Sequence, residues 1–108
     1  MSLMTRYRML RLAQANADWI REHLHEYPNF GDLHDQISRS SQGVPDQMSE
    51  GLGSRYPRNK LRYLDTARSS NDEFANQAPR LLQDPSHPLL DRIDHVGRML
   101  SNYMKRLE

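Results

Sequence analysis

Apolar residues recur every three or four positions in four stretches of the chain, the period of a helix with one buried face. In the first stretch Tyr7, Leu10, Ala13, Ala17, Ile20 and Leu24 share a face, predicting a helix from about Thr5 to Glu26. Trp19 lies off that stripe, where it is placed to pack against another chain. Pro28 closes the helix, because the residue before a proline is driven out of helical geometry. The second stretch carries Leu33, Ile37, Val44 and Met48, with Asp32 as the expected N-cap. Pro45 sits inside it and removes a backbone bond to Ser41, so a kink near Pro45 is predicted, with a break into two helices as the alternative. The third helix is expected to begin at Pro57 to Asn59, with Leu61, Leu64, Ala67, Phe74, Ala78 and Leu81 on its stripe and Asn71 interrupting it. Small residues at Ala67, Ser70, Ala75 and Ala78 favour close approach of a neighbour. The fourth begins near Pro88 and has the most regular heptad, through Leu89, Ile93, Val96, Leu100, Tyr103 and Leu107.

Glycine and proline clusters at Tyr27–Gly31, Gly51–Pro57 and Asp84–Pro88 separate these segments. No stretch alternates with a period of two, so the predicted class is all-α, an antiparallel up-and-down four-helix bundle with helix two kinked near Pro45. Met1-Ser2-Leu3 ahead of Met4 reads as a tag remnant, leaving 4–108 as a single domain. A hydrophobic share of 36% in 108 residues implies a thin core. Leu90, Gly97 and Met104 broaden the stripe of helix four, and Trp19, Tyr56 and Met99 fall outside a single core. Together they predict burial of spare apolar surface between copies of the chain.

There are no cysteines, which excludes disulfides, thiolate metal sites and cysteine nucleophiles. No segment approaches the length of a membrane span, and no apolar leader precedes the first helix, so a cytoplasmic location is expected. Fifteen Lys and Arg against 14 Asp and Glu give a formal net charge of +1, which by itself favours neither an anionic nor a cationic partner.

The central stretch Gln36-Ile37-Ser38-Arg39-Ser40-Ser41-Gln42-Gly43-Val44-Pro45-Asp46-Gln47-Met48-Ser49-Glu50-Gly51-Leu52-Gly53 resembles the hallmark of the four helix bundle protein family, also called the 23S rRNA intervening-sequence protein family. The matching positions are Gln36, Ile37, Arg39, Pro45, Glu50, Gly51 and Gly53. A second stretch, Tyr63 to Glu73, is similar at Leu64, Ala67, Ser70 and Glu73, and Tyr27-Pro28 is similar to the aromatic-proline that ends the family's first helix. Gln47, Ser69 and the pair Ser40-Ser41 depart from the pattern, where the family has asparagine, glycine and alanines. The hydroxyls of Ser40 and Ser41 are expected to bond back to carbonyls one turn earlier. The resemblance implies a four-helix protomer in a ring-shaped homopentamer. It also implies kinship with the accessory variability proteins of diversity-generating retroelements, basic pentameric barrels that bind nucleic acid and a reverse transcriptase.

For chemistry, the structural expectation for Glu50-Gly51-Leu52-Gly53 is that the glycines supply positive φ and end helix two. Glu50 and Glu73 have no accompanying nucleophile, histidine partner or phosphate loop, so no catalytic residue and no cofactor are expected. His23 and His25 are two apart on a helix, and His34, His87 and His95 lack ligand spacing, so no metal site is expected. The best candidate is basic: Arg55, Arg58, Lys60 and Arg62 lie within eight residues, beside Tyr56 and Tyr63, with Arg68 two turns on. Cations contact phosphates and tyrosines stack on unpaired bases, so this patch predicts RNA or DNA binding by a non-enzymatic module. A protein–protein scaffold that leaves the patch solvated is the alternative.

Overall fold

The computed structural model describes residues 3–107, with side chains from Tyr7 onward. Four antiparallel helices follow one another: α1 Leu3–His23, α2 Leu33–Gly53, α3 Pro57–Leu82 and α4 Pro88–Leu107. A 3-10 turn, Leu24–Glu26, extends α1 to its predicted end. Of the expected tag remnant, Met1 and Ser2 lie outside the described residues, and Leu3 already opens α1. Each helix packs against its sequence neighbours and α4 returns to α1, which closes a bundle about 42 Å long and 23 by 20 Å across. Among the described residues there is no strand, and no helix is long and apolar enough to cross a membrane.

The core is built as two apolar clusters stacked along the bundle axis. One holds Met9, Ala13, Val44, Met48, Leu64, Ala67, Val96, Leu100, Tyr103 and Met104. The other holds Ile20, Leu33, Ile37, Phe74, Ala78, Leu81, Leu82, Leu89 and Ile93. Asn16, Ser40, Ser41 and Asn71 are buried at the waist between them. Asn71 resolves the interruption in the third stripe: its Nδ2 donates to the Ile93 carbonyl at 3.0 Å and ties α3 to α4. The two serines bond as expected, Ser40 Oγ to the Ile37 carbonyl at 3.4 Å and Ser41 Oγ to the Ser38 carbonyl at 3.3 Å. Ser40 also reaches Gln77 across to α3.

Several expectations are corrected. The buried stripe of α1 is Met9, Ala13, Asn16, Ala17 and Ile20, whereas Tyr7 is exposed and Leu10 half-buried. The helix is rotated so that Met9, more flexible than a tyrosine and free of a polar tip, fills the core. α2 runs unbroken through Pro45, which is buried, so the alternative of two shorter helices is excluded. Asp32 makes no capping bond. Asn29 supplies the cap instead, its Oδ1 accepting from the His34 N–H at 3.0 Å. Neither Gly51 nor Gly53 has positive φ, and α2 extends through both. Gly51 is required for close approach: a Cβ there would meet Leu64 at 3.0 Å and the Lys60 carbonyl at 3.2 Å. The glycine with positive φ is Gly31, in the turn before α2. Gln83, at φ 55°, ends α3 in left-handed geometry one turn after Pro79.

Trp19 packs within the chain. Its ring stacks on His23 at 4.4 Å between centroids, meets the edge of His87 at 5.0 Å, and lies 6.3 Å from Tyr27. Met104 is buried, and Leu90 and Met99 pack against the core. Of the residues expected to lie outside a single core, only Tyr56 is widely exposed.

Candidate nucleic-acid interface

The net charge of +1 conceals a separation that the fold creates. The half of the bundle around the Met9 cluster comprises residues 7–15, 43–69 and 96–107, and carries ten Lys and Arg against three carboxylates. The other half, 16–42 and 70–95, carries four against ten, together with all five histidines. Antiparallel topology is the cause. The start of α1, the α2–α3 turn and the end of α4 all arrive at one pole.

Pairing is denser in the acidic half, which holds three of the ion pairs, while Asp65–Arg68 lies in the basic half and Asp94–Arg98 spans the two. Five ion pairs are formed among the described residues, all within one helix at spacings of three or four: Asp18–Arg21, His23–Glu26, Asp35–Arg39, Asp65–Arg68 and Asp94–Arg98. Arg8, Arg11, Arg55, Arg58, Lys60, Arg62, Lys105 and Arg106 at the basic pole take part in none of these pairs. Arg58 and Arg62 stand one turn apart on α3, a like-charge pair that opposes helix formation.

The α2–α3 turn is held firmly. Ser54 Oγ accepts from the Tyr56 N–H at 3.3 Å, and the Tyr56 carbonyl accepts from Lys60 N–H at 2.9 Å. Pro57 follows at the first helical position, where its fixed φ suits the helix. The Tyr56 ring is 63% exposed on this pinned backbone, and no side chain caps the N-terminus of α3. The orphan N–H groups and positive dipole end therefore face the same solvent as the four cations. Tyr63 is half-buried, with the Arg62 guanidinium 5.4 Å above its ring. Tyr7 is 60% exposed at the start of α1.

The six predicted interface residues do not all come together. Arg55, Tyr56, Arg58, Lys60 and Arg62 share the pole. Arg68 is held by Asp65 at 2.8 Å and lines a groove between α3 and α4 with Asp72, Asp94 and Arg98. Sequence reading missed Tyr7, Arg8, Arg11, Lys105 and Arg106, which are distant in the chain. The sign of an up-and-down bundle, in which odd starts meet even ends, was the signal that could have found them.

The motif residues fall into two depressions between α2 and α3. Arg39, Ser70 and Glu73 line one with Gln36 and Ser40, while Glu50 and Gly53 line another with Ser49, Ser54, Asn59 and Tyr63. Glu50 and Glu73 thus do not face each other. Ala67 lies in the core, and Pro45 packs beneath the α2 surface. The Asp35 carboxylate raises the Arg39 pKa above its ordinary value.

Two of the histidines serve local structure. His34 Nε2 lies 3.0 Å from the Tyr27 carbonyl, and His87 Nδ1 accepts from the Leu89 N–H at 3.1 Å to cap α4. Among the described residues no three His, Asp or Glu side chains converge as metal ligands would. Two carboxyls in the acidic half titrate below the usual range. Asp18 is held down first by the Gln14 amide and then by Arg21, and Asp84 by the Ser86 hydroxyl and N–H. Compared with models of protein families, with curated proteins and with solved structures, the chain matches none.

Proposed function

We propose that this chain is a non-enzymatic helical bundle that binds nucleic acid end-on through its basic pole, and that it is a divergent relative of the 23S rRNA intervening-sequence proteins. One observation carries the reading: eight cations gathered from three separated segments at one end take part in none of the ion pairs formed among the described residues. Unpaired like charge weakens a fold through self-repulsion and gains interaction energy only when a polyanion neutralises it. The opposite half, dominated by carboxylates, is repelled by phosphate and orients the molecule pole first. A ring of copies, as the family resemblance implies, would multiply the contact through multivalency. Light scattering tests that part by returning a mass several times 12.7 kDa.

The binding itself is tested by titrating labelled RNA and DNA oligonucleotides against the wild type and an Arg55→Ala/Arg58→Ala/Lys60→Ala/Arg62→Ala variant. If these four residues neutralise about four phosphates, they alone account for a roughly 50-fold fall in wild-type affinity between 50 and 200 mM salt, and the variant should lose that share of the slope. Absence of binding at low salt, or binding indifferent to salt, overturns the proposal and favours the scaffold role.

A further inference from the structure

Phosphate attraction does not explain the tyrosines. Among the described residues three large apolar side chains are widely exposed, and two of them, Tyr7 and Tyr56, lie in the basic half, the third being Phe30 near the start of α2. Neither tyrosine contributes a ring to the core. Tyr56 is the more telling. Its backbone is fixed on both sides, by the Ser54 hydroxyl before it and by Pro57 and the first turn of α3 after it. The ring therefore stands out of the pole on a rigid base, with Arg55 and Arg58 beside it in sequence. Holding an aromatic face in water this way gains nothing for folding. It does lower the ordering cost of laying a flat apolar ligand on that face. Tyr63, by contrast, already has a guanidinium over its ring.

We infer that the basic pole selects single-stranded over double-stranded nucleic acid, its cations holding the phosphates while an unpaired base stacks on Tyr56 and a second on Tyr7. This rests on the reading of the pole as a nucleic-acid interface. A duplex offers the same phosphates but keeps its base faces within its own stack, so it can engage the arginines and not the rings. The bundle is 23 by 20 Å across its long axis, so its end is wide enough for a run of several nucleotides, on the order of those taken by small single-strand-binding folds.

The test uses fluorescein-labelled dT and U oligonucleotides of about 12 nucleotides and a DNA duplex of equal length at matched salt, with the intact chain, Tyr56→Ala, Tyr56→Phe and Tyr7→Ala. The single strands are expected to bind about tenfold or more tightly than the duplex. Tyr56→Ala should weaken single-strand binding about 5- to 100-fold, leave duplex binding and the salt slope unchanged, and be restored by Tyr56→Phe. Tyr7→Ala should act in the same direction but less. The dT and U arms separate DNA from RNA as the source of the strand. Equal affinity for single strand and duplex, or a Tyr56→Ala loss shared equally by both, overturns the stacking inference and leaves the phosphate-led reading standing. Failure of every probe to bind removes both. Because Tyr56 is exposed, an unchanged helical circular dichroism spectrum is expected for its variants.

Discussion

The two halves of this bundle are built from the same four helices and differ in how their charges are treated. In the acidic half and at the waist, oppositely charged residues stand three or four apart and close into pairs. The core there is filled by Phe74, isoleucines and leucines, and Trp19 is packed among His23, Tyr27 and His87. In the basic half the core is richer in methionine, and among the described residues no carboxylate pairs with the end cations. The chain has 14 acidic residues, so this is a matter of placement and not of supply. Local agreement between sequence and structure prevails in one half. The other breaks the rule that neighbouring charges alternate, as expected where a surface serves a partner.

The comparison holds only if the halves fold as one unit, and the largest expected effect tests that. Phe74 heads the fully buried side chains and sits in the acidic cluster. Phe74→Ala should cost about 3–5 kcal/mol and lower the melting temperature by roughly 15 °C or more. If the bundle is cooperative, Trp19 fluorescence, a probe of the acidic half, and far-ultraviolet circular dichroism, which sees all four helices, should report one coincident transition. Early loss of the Trp19 signal would show two independent halves. A smaller net cost, about 1 kcal/mol, is expected at the waist for Gly97→Ala, because loss of the buried Asn71 hydrogen bond outweighs the roughly 1 kcal/mol that alanine gains over glycine inside a helix. A Cβ there stands 3.0 Å from the Asn71 amide nitrogen and pushes it off the Ile93 carbonyl. Urea denaturation measures it, and an unchanged midpoint would mean that the α3–α4 contact has slack.

Most of the fold was legible because helix periods and breakers are local signals. Leu89, Ile93, Val96, Leu100 and Tyr103 are all buried as their heptad required. What escaped depended on rotation and on distance. The stripe of α1 was misphased because Tyr7, Met9 and Leu10 offer two faces at that end, and only packing against α2 and α4 chooses between them. Trp19 looked like an interchain residue because its partner His87 lies 68 positions away. The interface was half legible for the same reason. Arg55, Arg58, Lys60 and Arg62 are contiguous, but their union with Arg8, Arg11, Lys105 and Arg106 exists only once the helices run antiparallel. Of the motif departures, Ser40 and Ser41 are explained by their bonds to carbonyls one turn earlier, whereas Gln47 and Ser69 carry no contact that explains them.

Reversing one charge sharpens the contrast. Arg58→Glu removes the repulsion from Arg62, creates a Glu–Arg pair one turn apart, and puts a carboxylate in the first turn of α3. Each of these favours the helix, so the variant should be more stable by about 0.5–1 kcal/mol while binding nucleic acid less well. Asp35→Arg in the acidic half should do the opposite to stability by breaking the pair with Arg39. Thermal melts at low salt read both, and the two effects should shrink together as salt is raised. Loss of stability in Arg58→Glu would mean that Arg58 is structural, and the description of the pole as uncompensated would fail.

The smallest effect concerns acid. Asp84 opens the α3–α4 turn in the acidic half, and its Oδ1 accepts from the Ser86 hydroxyl at 2.8 Å and from the Ser86 N–H at 3.0 Å. These bonds favour the ionised carboxyl and hold its pKa below the ordinary value in the folded chain, with the hydroxyl contributing most. The unfolded chain binds that proton more readily, at about pH 3.9. The stabilisation is therefore complete above the unfolded pKa and disappears as the pH falls through the lower folded one. Asp84→Asn keeps the shape and removes the titration. Urea midpoints of the two chains should differ by a constant small amount above about pH 5 and converge below about pH 4. Because the group is fully exposed, salt and solvent keep the gap small. A gap that persists undiminished at pH 3 would assign the turn's stability to amide-compatible geometry instead of charge. One carboxylate of the acidic half would then be shown to act without its ionisation.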